Sequence, residues 1–213
     1  MNMTRSSSLL RLLWSGILAV SVCLGGCSFK QAYPAKETFL IEARRAGEAK
    51  ASSHAMPLVL RVRNLQVSAP FEGKGFVYRD GGLRYETDFY HEFLVAPRAL
   101  LTEQVRQWLG ASGVVGVVID SAGKTDATHL LDGHVSALYG DYRELASPKA
   151  VLAIEFFLTR EQSASGEIIF HHRYRQEVSI ENHNAETLAQ GWGRALEQIL
   201  AALEQDLAKA LAK

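Results

Sequence analysis

The sequence predicts an α+β fold: a mainly antiparallel sheet with two amphipathic helices packed on one face, forming one domain after an N-terminal leader. Three observations carry this. Stretches of period-two alternation recur along the chain, most clearly over 168–180. Two other stretches place apolar residues at three- to four-residue steps, near 97–109 and from about 185 onward. Strands come in runs and each run ends in a helix, so two apolar helix faces need one sheet to cover.

In order, Glu37–Ala43 reads as a first strand around Phe39-Leu40-Ile41, and Arg44–Met56 as an exposed, charged loop. Leu58–Val67 is a strand in which Leu58, Leu60 and Val62 give way to Leu65 and Val67. That change of phase predicts a bulge near Asn64. Phe76–Arg79, then Asp80-Gly81-Gly82, then Leu83–Tyr85 is a hairpin whose glycines can supply positive φ. Pro97 opens a helix to about Leu109, carrying Leu100, Leu101, Val105 and Trp108, with Gly110 and Gly113 at its end. Val114–Ile119 and Leu131–Tyr139 are strands. Val151–Leu158, apolar at successive positions, predicts a strand covered on both faces. Residues 161–166 form a hairpin loop, and Ile168–Ile180 alternates Phe170, His172, Tyr174 and Val178 with His171, Arg173, Arg175 and Glu177. Asn182 or Asn184 caps a long final helix with Leu188, Trp192, Leu196, Ile199, Leu203 and Leu207 on one side.

The leader has a recognisable layout. Arg5 and Arg11 precede the 13-residue apolar run Leu12–Leu24. That run is shorter than the ~18 residues a spanning helix needs, and it fits a secretory signal. Leu24-Gly25-Gly26-Cys27 follows it and resembles the lipobox of bacterial lipoproteins. The resemblance implies that residues 1–26 are a lipoprotein signal peptide and that Cys27 is diacylglyceryl-modified and N-acylated. Residues 27–36 are then an acylated tether and 37–213 a single α+β periplasmic domain. Two or more acyl chains hold a protein stably at a bilayer, at about 0.8 kcal/mol per buried CH₂. Ser28 stands where the common inner-membrane retention signal has Asp, so the resemblance to enterobacterial sorting implies the periplasmic face of the cell outer membrane.

Composition bounds the function. The chain has 23 Lys+Arg against 23 Asp+Glu, and the leader removes two Arg and no acid. This near-neutral balance gives no electrostatic case for nucleic acid. The two cysteines, Cys23 and Cys27, leave no thiol or disulfide to the mature domain.

Beyond the lipobox, the residues in sequence are the Phe39-Leu40-Ile41 strand, the Leu58–Val67 strand and the Tyr78-Arg79/Leu83-x-Tyr85 hairpin. Phe89-Tyr90-His91-Glu92-Phe93 then runs into Pro97, helix Leu100–Leu109 follows, and a helix with Trp192, Leu196, Ile199 and Leu203 closes the chain. With these features the chain resembles the ABC-type transport auxiliary lipoproteins, the group that includes paraquat-inducible protein C. Many of that group carry Trp near the position of Phe93, where this chain departs. The resemblance implies a non-enzymatic adaptor that docks an MCE-domain transporter subunit at the outer membrane for intermembrane lipid transport. It is also compatible with a homo-oligomer.

No cofactor or catalytic motif stands out. His171 and His172 are strand neighbours on opposite faces, as are His129 and His134, so no metal centre is expected. No Gly-x-Ser-x-Gly elbow, phosphate loop or dinucleotide fingerprint occurs. The aromatics Phe76, Tyr78, Tyr85, Phe89 and Tyr90 flank the hairpin turn. Either they pack the sheet and pair across the hairpin, or some of them, with Tyr78, Tyr85, Phe89 and Tyr90 as candidates, project as a docking surface. Two other functions stay open: a structural or assembly lipoprotein of another envelope complex, and a lipoprotein hydrolase with a scattered Ser/His/Asp site.

Overall fold

The computed structural model describes residues 35–47, 58–161 and 167–212. The leader, Cys27, most of the tether, most of the 44–56 loop and the 162–166 loop lie outside the described residues. Strands β1 (Glu37–Phe39), β2 (Val59–Val62), β3 (Gln66–Val67), β4 (Gly75–Arg79) and β5 (Tyr85–Phe93) are followed by helix α1 (Pro97–Ser112). Then come β6 (Val117–Ile119), β7 (His129–Asp141), β8 (Lys149–Arg160), β9 (Ile168–Ser179) and helix α2 (Ala185–Leu211).

All nine strands form one sheet organised on β7. One edge of β7 pairs antiparallel with β8 along its whole length, and β8 pairs antiparallel with β9. The other edge receives β2, β3 and β4 in turn, all parallel: Val62 opposite Leu131, Val67 opposite Val135, Arg79 opposite Asp141. β5 closes an antiparallel hairpin on β4, β1 adds parallel to β5, and β6 adds parallel to β2. The sheet is therefore mixed: its long pairings are antiparallel and its short ones mostly parallel.

Two strand irregularities explain the residue pattern. Between Val62 and Gln66 the chain advances four residues while the partners Leu131 and His134 are three apart, so one extra residue sits at 63–65. This is the phase change read at Asn64, and it divides the expected single strand into β2 and β3. On β7, Val135 faces Ile154 and Ala137 faces Ala153, which leaves Ser136 unpaired. That bulge shifts the inward-facing phase by one, so Val135 and Leu138, three residues apart, are both buried.

Both helices lie against each other and on the sheet: α1 covers β2, β3 and β6, and α2 covers β8 and β9. α2 buries Leu188, Trp192, Ala195, Leu196, Ile199, Leu203 and Leu207. Asn184 caps it, its side chain accepting from the Thr187 N–H at 2.7 Å, while Asn182 accepts from the Asn184 N–H. α1 starts at Pro97 and ends on Gly113, which takes the left-handed conformation at φ 75°. Gly110 does not end this helix but lies within its last turn.

Four other expectations need correction. The first strand stops at Phe39. Residues 40–45 run instead across the two helices, where the Ala43 N–H donates to Gln104 Oε1 (2.9 Å) and Arg45 grips Glu204 (2.9 Å). Arg45 is thus largely buried against α2 rather than part of an open loop. The Val114–Ile119 strand begins only at Val117, since Val114 and Val115 fill the core on leaving α1. At the hairpin neither Gly81 nor Gly82 has a positive φ. Strand pairing ends at Arg79 and Tyr85, and the wider turn over 80–84 is held by the Asp80–Arg84 ion pair, so it does not require the left-handed region.

Candidate docking surface

The four candidate aromatics separate into three environments. Tyr78, on β4, is half-buried. Its ring stacks on Tyr142 (5.2 Å) and its hydroxyl donates to Asp88 Oδ2 at 2.6 Å. Tyr85 meets Tyr139 edge-on (5.4 Å) and lies near Phe71, with the Arg79 guanidinium 5.5 Å from its ring centre. Tyr85, Phe89 and Tyr90 are all exposed, and of the four only Phe89 and Tyr90 make ring contact with each other, edge to face at 5.2 Å. Phe76, the fifth aromatic, is wholly interior, against Phe39, Phe93 and Trp192.

Phe89 and Tyr90 stand out because β5 bulges. Gly75 is opposite Glu92 and Val77 opposite Thr87, so a two-residue step on β4 faces a five-residue step on β5. The three surplus residues lie between Thr87 and Glu92. Asp88 holds this loop shut. Its Oδ1 accepts from the N–H groups of Tyr90 (2.7 Å) and His91 (3.0 Å), an Asx-type closure within the strand. Its Oδ2 accepts from Tyr78 and from His91 Nδ1 (2.7 Å). Burial opposes the charge on Asp88, but these four donors outweigh it and bring its pKa down to about 2. The bulge also needs a glycine beneath it. A Cβ on Gly75 would lie 2.7 Å from the Asp88 carbonyl oxygen and 2.7 Å from Thr87 Cγ2.

The Lys36 ammonium sits 4.8 Å from the Phe89 ring centre and pairs with Glu92 (3.1 Å). Leu40, Leu94 and Val95 are exposed further along, where the Leu94 N–H donates to the Phe39 carbonyl. A groove of about 440 Å³ follows, lined by Leu40, Val95, Ala99, Leu100 and Gln104 among others. The groove also carries Glu42, Asn64, Glu103 and Arg106 in its lining, while Lys36 and Glu92 flank the two rings.

Sequence reasoning passed over Asp88. The available signal was an acid inside a strand bounded by aromatics, a position where Asp is depleted.

Other groups offer less chemistry. Among the described residues no three His, Cys, Asp or Glu side chains could share a metal ion. His171 stacks on Phe157 (4.4 Å) and bonds Glu155 (2.6 Å). Ser68 Oγ lies 3.0 Å from His134 Nε2, but no described carboxylate hydrogen-bonds the second ring nitrogen, as a triad requires. Among the described residues no helix is long and apolar enough to cross a membrane.

No family model matches the chain, and no curated protein matches it. Solved structures share its fold. One is a protein of the DUF330 family from Xanthomonas campestris, at TM-score 0.65 and 13% identity, covering 83% of this chain and 94% of that one. Another is a protein of unassigned function, at TM-score 0.64 and 14% identity, covering 81% of this chain and 99% of that one. Lipoprotein GNA1162 from Neisseria meningitidis is more distant, at TM-score 0.39 and 12% identity, covering 72% and 99%, too slight a likeness to build on. At these identities the first two likenesses establish the fold and leave activity open.

Proposed function

We propose that this chain is a bacterial lipoprotein, acylated at Cys27, facing the periplasm from the outer membrane. There it serves as the adaptor component of an ABC-type, MCE-linked lipid transport system. One observation carries the adaptor reading: a braced sheet bulge presents Phe89 and Tyr90 to solvent while its own polar groups are satisfied from within. Paired exposed aromatics on a rigid mount are what protein recognition uses, because little side-chain entropy is lost when they are covered. The lipobox sequence supports the anchor. The order of strands and helices supports the auxiliary-lipoprotein family, with an MCE-domain subunit as partner.

A photoreactive benzoylphenylalanine at Phe89 tests the reading in cells. The expected product is a crosslink to an MCE-domain subunit, identified by mass spectrometry. Crosslinks to a secretion or lipopolysaccharide-assembly component would replace this reading with the envelope-assembly alternative. Palmitate labelling of the wild type and of Cys27→Ala tests the anchor separately, and equal labelling of the two would refute it.

A further inference from the structure

A second exposed apolar feature lies away from the bulge. Leu83, in the β4–β5 turn, is 96% exposed, and Leu145, in the β7–β8 turn, is 72% exposed. The topology brings these turns to one end of the sheet. β4 and β7 finish side by side, with Arg79 opposite Asp141 and the Tyr142 N–H donating to the Arg79 carbonyl at 2.8 Å. Each turn is braced. Arg84 closes the first onto Asp80, and in the second the Ser147 N–H donates to the Glu144 carbonyl (2.9 Å). Arg79 bonds the Gly81 and Gly82 carbonyls, and Arg143 pairs with Asp141 (2.6 Å). Two leucines therefore project from stiff turns whose flanks carry three guanidinium groups, each with a partner, together with Asp80, Asp141 and Glu144.

β1 runs parallel to β5, which leads away from the Leu83 turn, so β1 starts at its turn-facing end. Lys36, the residue before it, is already level with Phe89. Along β5 the turn is about six residues from Glu37's partner His91, no more than ~20 Å. The nine residue steps from Lys36 back to Cys27 reach at most ~30 Å in any conformation. An anchor on Cys27 can therefore bring a bilayer up to this end.

We infer that Leu83 and Leu145 form a lipid-contacting footing: the two turns rest in the headgroup region of the anchoring membrane, leucines toward the acyl chains and arginines at the phosphates. This rests on the acylation of Cys27. It fixes how the anchored domain stands, with the Phe89–Tyr90 bulge facing sideways and clear of the lipid.

The test uses the full, acylated chain in vesicles of phosphatidylethanolamine and phosphatidylglycerol with brominated tails. Leu83→Cys, Leu145→Cys and Lys124→Cys are each labelled with an environment-sensitive fluorophore; Lys124 is exposed in the loop before β7, at the opposite end. The expected result is quenching by the brominated tails at positions 83 and 145 and none at 124. Unquenched labels at 83 and 145 on protein whose Cys27 is shown acylated by mass overturn the footing and leave the anchor standing. Protein found without acyl chains and absent from the vesicles refutes the anchor itself. Labels at 83 and 145 shielded only when envelope proteins are added would assign these tips to a protein partner, which also overturns the inference. All three positions are exposed, so unchanged melting temperatures are expected and verify that the variants fold.

Discussion

Four donors converge on the Asp88 carboxylate, two from side chains and two from the backbone of its own bulge. Its folded pKa, about 2, lies below the ~3.9 of an unfolded aspartate. The stability it contributes is therefore complete above about pH 4 and is lost as pH falls toward 2. After allowance for solvent screening at this surface site it is roughly 1 kcal/mol. Asp88→Asn should lower the melting temperature by about 2–4 °C at pH 7, and the gap should close on acidification toward pH 2. A gap that persists unchanged at low pH would mean that the carboxylate's charge is not what braces the bulge. Tyr142 offers the opposite case. Its ring stacks on Tyr78 and meets His183 edge to face, yet its hydroxyl is buried without a described partner, and burial pushes its pKa up to about 12. Tyr142→Phe should keep both ring contacts and remove an unsatisfied group, leaving stability unchanged or up to about 1 kcal/mol higher. A clear loss in thermal denaturation would show that the hydroxyl is satisfied after all.

At the scale of the element, the β5 bulge depends on the space that Gly75 leaves. Gly75→Ala puts a methyl against the Asp88 carbonyl and Thr87, and one of the two strands must move. We expect a loss of about 1–3 kcal/mol in urea denaturation, together with loss of the Phe89 crosslink, because the same shift displaces the bulge tip. Retained stability with an intact crosslink would mean that β5 does not use this register. The bulge was not legible in the sequence, and the reason is specific. Periodicity reports alternation between faces, and Glu86–His91 has no alternation to report. The helices were legible because Pro97, Asn184 and the apolar spacing of α2 act locally. The extra residue near Asn64 could be read because the apolar set changed phase on either side of it. Arg45 was read as solvated because its partner Glu204 lies 159 residues away. A glycine pair misled the turn reading: Asp-Gly-Gly is compatible with positive φ, but an Asp80–Arg84 closure makes it unnecessary.

At the scale of the whole molecule, β7 is in contact with four other strands, and the two helices share the remaining apolar surface. No composition or spacing rule announces that β2, β3 and β4 line up head to tail along one edge of β7. Each is short, and the choice of a parallel neighbour is made by packing across long stretches of chain. That arrangement has a mechanical consequence. Residues 40–45 cross both helices, and Glu204 on α2 accepts from Trp108 Nε1 on α1 (2.9 Å) as well as from Arg45. Trp192 on α2 donates to the Tyr139 carbonyl on β7 (3.3 Å) and packs on Phe76 and Phe93 from the opposite half of the sheet. With β7 common to both halves and α2 stitched to both, residues 35–212 should unfold as one unit. Urea denaturation followed by tryptophan fluorescence and by far-ultraviolet circular dichroism should give coincident curves. Glu204→Ala leaves the Trp108 N–H and the Arg45 guanidinium short of an acceptor. It should move both curves to lower urea together, by about 1–3 kcal/mol, without changing their slope. Two separated transitions, or a variant in which fluorescence shifts ahead of circular dichroism, would mean that the β1–β5 half and the β7–β9 half fold independently. A domain of that kind could not hold the Phe89–Tyr90 bulge at a fixed angle to the Leu83–Leu145 end.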